Sequence, residues 1–206
     1  MLVNYEKQTG AYSRYAQLPL TARPLDLLYF LFFAMHLPAS LIIDLQYIYP
    51  PQLVPGFLRG LLDMYIDMSR DPLIGGVHGA FGDSGHLMWF KTFLVLEAVF
   101  QIPVFVLGLR GLYKGSQSIY PLLVLYGASS ATTTLACITA VLQTPELTDI
   151  ALSRGVAAVT SQQRLMLLSS YVPFFLVPLI MAADMAFRVS TLVRKGIKME
   201  EEEKWK

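Results

Sequence analysis

Two carboxylates in this chain stand where a carboxylate is expensive. Glu97 falls about the middle of the apolar run 88–112, and Asp44 near the end of another, 26–48. An ionisable group at such depth costs several kcal/mol unless it faces protein or trapped water, so it marks a functional site by default. It takes a proton, pairs with a cation, or accepts hydrogen bonds from donors across a helix interface. The chemistries open to these residues are therefore binding of an amine or a hydroxyl, holding a proton for a substrate, or joining helices. Gln101, four residues after Glu97, adds an amide to the same helix face. Joining helices is the plain alternative for this pair, because interhelical polar bonds of about 1 kcal/mol need only one such group.

Other polar residues in the apolar runs carry two readings each. His36 precedes Pro38 by two residues, so it is either a pocket residue or a donor to a carbonyl freed by the proline. Ser129, Ser130, Thr132, Thr133 and Thr134 form a hydroxyl run broken only by Ala131. Small residues of this kind let helices approach closely, yet all faces cannot pack at once, and Ser130 and Thr134, four apart, define the face expected to line a pocket. Tyr171, Pro173, Phe174, Phe175 and Pro178 share one run, where two prolines predict a kinked helix with a cavity beside it. Tyr171 and Phe174 there read as packing or as an aromatic wall that attracts a cation. Asp184, four residues before Arg188, reads as half of an ion pair near a helix end.

Several chemistries lack their residues. The glycine-rich stretch 75–86, GGVHGAFGDSGH, follows no strand, so it reads as a flexible loop and not as a phosphate or dinucleotide fingerprint. His78, Asp83 and His86 within it have no evident fourth metal ligand. The single cysteine, Cys137, allows neither an internal disulfide nor a paired-cysteine metal site. No serine or cysteine nucleophile pattern is present, and the reading expects no metal and no cofactor.

The elements that must position these residues follow from composition. Of 206 residues, 54% are hydrophobic and 15% charged, and the mean hydropathy is +0.49. Those values place the chain among membrane proteins. A net charge of +1 without a basic stripe excludes nucleic acid as a partner. A bilayer core takes about 20 apolar residues of helix, and four windows meet that demand: 26–48, 88–112, 119–142 and 165–189. The long connection 49–87 repeats Leu61, Leu62, Tyr65 and Ile66 at near-helical spacing, which predicts a short interfacial helix over 57–69 that closes one mouth of the bundle. Residues 1–24 show no apolar core with a cleavage site, so the first span is expected to target the chain itself.

Eleven of the 16 Lys and Arg residues fall on one side of this arrangement: the N-terminal segment, the 110–118 turn and the C-terminal segment. The positive-inside rule then puts both termini in the cytosol and the long connection in the lumen or outside. The domain reading is a cytosolic segment 1–24, a transmembrane domain 25–189 and a charged cytosolic tail 190–206, the last a solvated helix end or disordered. The fold class expected is all-α, a polytopic four-transmembrane-helix bundle.

Blocks along the whole bundle carry a family resemblance: HLPASLIIDLQYIYP (36–50), DPL (71–73), WFKTFLVLEAVFQIP (89–103), TTL (133–135) and RLMLLSSYVPFFLVP (164–178). With them the chain resembles the sigma-two receptor family of the EXPERA group, which also contains the emopamil-binding sterol isomerases. The resemblance implies an acidic residue at Asp44, held by another at Asp71, that pairs with the amine of lipophilic ligands. It also implies a pocket lined by Glu97, Gln101 and Thr134. Three departures stand out: Ser130 where the family often has histidine, Phe174 where it often has a second tyrosine, and a longer glycine-rich loop. Loss of two hydrogen-bonding groups bears on ligand selectivity and spares the acidic pair.

The leading reading is a receptor or handling protein in the endoplasmic reticulum membrane that binds sterols and lipophilic cationic amines. The expected site is His36, Asp44, Asp71, Glu97, Gln101, Ser130, Thr134, Tyr171 and Phe174, with no catalytic residue unless Glu97 serves an isomerase. A sterol double-bond isomerase is the second reading; it needs a second acid deep in the bundle, and Asp44 is placed nearer the mouth. A structural assembly partner without a ligand site is the third. Expected partners are a sterol or other lipophilic small molecule and membrane lipids, with a homodimer left open.

Overall fold

The computed structural model describes residues 18–205, so residues 1–17 of the expected N-terminal segment, and Lys206, lie outside the described residues. Four helical stretches are long and apolar enough to cross a membrane: Pro24–Tyr47, Gly85–Tyr113, Gln117–Gln143 and Ser161–Lys204. Span 1 is helix α1 (Pro24–Ile42) followed by a 3-10 turn, Asp44–Tyr47. Helices α2 (Gly56–Ser69) and α3 (Ile74–Val77) occupy the long connection. Span 2 is α4 (Met88–Leu96), a π turn (Glu97–Gln101) and α5 (Ile102–Tyr113). Span 3 is α6 (Tyr120–Gln143), and α7 (Asp149–Ser153) lies in the next connection. Span 4 is the start of α8 (Ser161–Lys204). Among the described residues the β structure is a single isolated bridge, Glu146 to Val159.

Local chemistry sets these boundaries. Pro24 and Pro121 sit in the first turns of α1 and α6, where a missing N–H costs nothing. Thr160 and Gln163 form a reciprocal capping box at the start of α8. The expected end of span 4 at 189 has no counterpart in the backbone, because α8 runs unbroken to Lys204. The tail is rich in Lys, Arg and Glu at spacings that support an exposed helix. The π turn has a cause as well: Pro103, two residues past it, has no N–H to give to the ladder and crowds the carbonyl four residues back.

Spans 1 and 2 lie side by side, and spans 3 and 4 pack along much of their length. Gly127 makes the second pairing close: a Cβ there would lie 2.5 Å from the Pro178 carbonyl oxygen and 2.9 Å from the Ala182 nitrogen. The half of the bundle nearest Arg23 is filled by Tyr29, Phe33, Phe105, Tyr126, Met181 and Met185, all fully buried. Its rings interlock, with centroids 5.1 Å apart for Phe33 and Tyr126 and 5.4 Å for Phe33 and Phe105. Beyond this core a charge network ties three spans. Asp26, 1% exposed, accepts from Arg23 Nη1 and Arg188 Nη1, each at 2.6 Å. Arg188 Nη2 also reaches Asp184 Oδ2 at 2.7 Å, and Arg23 Nη2 donates to the Tyr113 carbonyl. The expected Asp184–Arg188 pair is thus present, as one part of a larger network.

At the opposite end the connections cap the bundle. Gln46 donates to the Leu58 carbonyl at 2.8 Å, tying span 1 to α2, whose Leu62 is buried. Arg70, at φ 48°, ends α2 in the left-handed conformation and donates to the Ala158 carbonyl. Arg164 caps span 3 through the carbonyls of Val141, Leu142 and Thr144. The flexible-loop reading of 75–86 needs correction at its start. Gly75 and Gly76 belong to the buried turn α3, where a Cβ would come within 2.6 Å of the Phe81 ring and 2.5 Å of Leu87. The glycines are there for close packing; only Gly79 and Gly82, at φ 81° and 85°, serve a loop.

Candidate functional site

A cavity of about 280 Å³ lies between the aromatic core and the capping connections. That is close to the lower end of the ~300–1,000 Å³ usual for small-molecule sites. Every span contributes. His36 and Asp44 come from span 1, Glu97 and Gln101 from the π turn, Ser130 and Thr134 from span 3, and Tyr171 and Phe174 from span 4. Eight of the nine residues singled out in the sequence therefore line one cavity, with Asp71 behind its wall.

Asp71 is fully buried and saturated with donors. Its Oδ2 accepts from the hydroxyls of Tyr65 at 2.7 Å and Tyr171 at 2.9 Å. Its Oδ1 accepts from the N–H groups of Leu73 at 2.8 Å and Ile74 at 3.1 Å, which starts α3. Burial first, and the adjacent Asp71 second, push the Tyr65 hydroxyl above the usual phenol range, so it stays a donor. The resemblance implies that Asp71 holds Asp44; in this structure it holds two tyrosines and a helix start, and those tyrosines face the cavity.

Asp44 has different neighbours. One ligating atom each of His36, Asp44 and Glu97 lies within 4.8 Å of the others. The 3-10 turn that ends span 1 begins at Asp44, whose side chain lines the cavity. Among the described residues no protein donor bonds the Asp44 carboxylate, and neither of its oxygens is buried without a partner, so it opens on the cavity. Asp44 and Glu97 thus lie close together on one cavity.

Glu97 is anchored by a residue the sequence reading passed over. Ser40, fully buried, donates a short hydrogen bond to Glu97 Oε1. His36 Nε2 stands 3.8 Å from the same oxygen, and His36 Nδ1 has no hydrogen-bond partner among the described residues. The freed-carbonyl role open to His36 in the sequence is not what the structure shows: its ring packs on Phe105 and Phe174, with centroids at 4.7 and 4.5 Å. Three donors at this spacing could share one divalent ion, while His78, Asp83 and His86 do not gather into such a group among the described residues. Thr133, Tyr65 and Cys137 also line the cavity. Tyr65 was legible only as one apolar position of α2, and the one signal for Ser40, its place midway between His36 and Asp44, is too weak to single it out.

Four membrane-length helices around a cavity that sets two carboxylates and a histidine against aromatic and hydroxyl walls define a polytopic membrane protein with an internal polar site. Comparison with known proteins gives the family. The sequence model of the EXPERA (EXPanded EBP superfamily) domain matches residues 57–185. Sigma intracellular receptor 2 of Xenopus tropicalis is 32% identical over 81% of this chain and 90% of its own length. That of Homo sapiens is 32% identical over 79% of this chain and 88% of its own. Efficient mitochondria targeting-associated protein 19 of Saccharomyces cerevisiae is 26% identical, covering 73% of this chain and 91% of its own length. The chain belongs to the EXPERA superfamily and, within it, to the sigma intracellular receptor 2 family.

Proposed function

We propose that this protein is an intracellular receptor or handling protein of the endoplasmic reticulum membrane that takes sterols and lipophilic amines into its cavity. One observation carries the reading: the Asp44 carboxylate opens on a largely apolar space inside the bundle, and among the described residues no Lys or Arg forms an ion pair with it. A desolvated carboxylate next to a second acid is a strong site for an ammonium group, and His36, Phe174 and Phe93 supply rings for the attached apolar body. The name intracellular receptor, borne by the relatives that cover four-fifths of the chain, supports the same reading. Both termini face the cytosol, from the distribution of Lys and Arg.

A second reading is favoured by the spacing of Asp44 and Glu97. Shifting a sterol double bond needs an acid at one ring carbon and negative charge beside the cation that forms, both in a dry cavity. Two carboxylates and a histidine within 4.8 Å of one another support this reading. Expression in cells lacking their sterol isomerase, followed by sterol analysis, separates the readings. The receptor reading expects the abnormal sterols to persist and a sterol to co-extract with the purified protein. Restoration of normal sterols, lost again in Glu97→Gln, would make the protein an enzyme.

A further inference from the structure

His36 and Ser40 lie four residues apart and so share one face of α1, Asp44 follows in the 3-10 turn with a carboxylate oxygen within 4.8 Å of His36 and Glu97, and Glu97 reaches Ser40 from the π turn of span 2. Serine and threonine hydroxyls inside a helix ordinarily bond back to their own helix, three or four residues earlier. Thr132, Thr139 and Thr191 do so here, each onto the carbonyl four residues back. Ser40 instead donates across to Glu97 Oε1 on another span. It is fully buried and does not line the cavity, so its hydroxyl has no ligand to meet. Oε2 of Glu97 has no protein hydrogen bond among the described residues and is not buried without access, which leaves it facing the cavity with Asp44.

We propose that Ser40 is a positioning residue for ligand binding, holding one oxygen of Glu97 against span 1 so that the other faces the cavity beside Asp44, and the two acids receive a single ammonium group together. The inference rests on the cavity being the amine site. It assigns Ser40 a role without ligand contact: a free Glu97 side chain has three torsions, and the hydroxyl removes that freedom before the ligand arrives. A hydroxyl bond to a desolvated acid corresponds to about tenfold in affinity when lost.

The test is competition binding of a tritiated lipophilic tertiary amine to the purified full-length protein in lipid nanodiscs. Ser40→Ala is expected to weaken binding about tenfold, and Ser40→Thr, which keeps the hydroxyl, to stay within about threefold of the parent. Glu97→Gln should weaken binding as well, and the double variant Ser40→Ala/Glu97→Gln should be no weaker than Glu97→Gln, because Ser40 acts only through that carboxylate. Unchanged affinity in Ser40→Ala, or losses that multiply in the double variant, would overturn the proposal. If Ser40→Ala does not fold, the order of affinities Ser, Thr, then Cys carries the same test, and a Cys variant that binds as tightly as the parent overturns it. Asp44→Asn in the same assay separates the two levels. Full affinity there removes the cavity reading itself, whereas loss there with intact Ser40→Ala removes only the role of Ser40.

Discussion

Asp44 and Asp71 are both acids near the same end of the bundle, and their surroundings give them opposite duties. Asp71 accepts four hydrogen bonds, two from tyrosines that line the cavity. Replacing it with asparagine puts amide hydrogens against at least one of those donors. We expect Asp71→Asn to cost about 2–4 kcal/mol of stability, read as a lower thermal midpoint in detergent and reduced expression. That differs from what the family resemblance implies, in which Asp71 serves to hold Asp44. Asp44→Asn, with no donor to disappoint among the described residues, is expected to express and melt normally while losing more than tenfold in amine affinity. Most of the polar cavity lining was legible in the sequence, because a polar group in an apolar run must justify its cost. Ser40 and Asp26 were not, since serine carries little cost at that depth and Asp26 sits too near a helix start to attract attention.

The helices themselves were legible to within a few residues at most ends, because hydropathy over 20 residues is a strong signal and capping residues punctuate it. Two features escaped. The π turn is invisible to periodicity, although Pro103 announces a broken ladder. The buried turn α3 looked like loop because glycine reports flexibility and tight packing with the same letter. Close packing makes a prediction at this scale. Gly127→Ala forces a methyl group onto the span 4 backbone, so spans 3 and 4 must part, and a loss of about 1–3 kcal/mol follows, read as a lowered melting temperature. The network around Asp26 predicts more. Asp26→Ala leaves two guanidinium groups facing each other between spans 1 and 4, and breaking a buried pair of this kind costs about 3–5 kcal/mol. Asp184→Asn, at a half-buried position of the same network, should cost less in the same melt.

Across the whole molecule, the two ends of the bundle differ in kind. One end is closed by aromatic packing and the Arg23, Asp26 and Arg188 network; the other is closed by connections, with the cavity between. This division explains why a chain with so little polar surface keeps three titratable side chains together inside it: they surround a space, which a bundle joined only by interhelical bonds has no reason to keep. The proposed orientation adds a topological expectation. A protease added to sealed microsomes should remove the α8 tail, and protection of that tail until the membrane is opened would reverse the orientation. Saturable binding of a tritiated lipophilic amine to the purified protein decides whether the cavity is a ligand site at all. One site per chain is expected, displaced by sterol, with affinity lost by more than tenfold in an Asp44→Asn variant that melts like the parent. Absence of saturable binding, or unchanged affinity in that variant, would contradict the receptor reading.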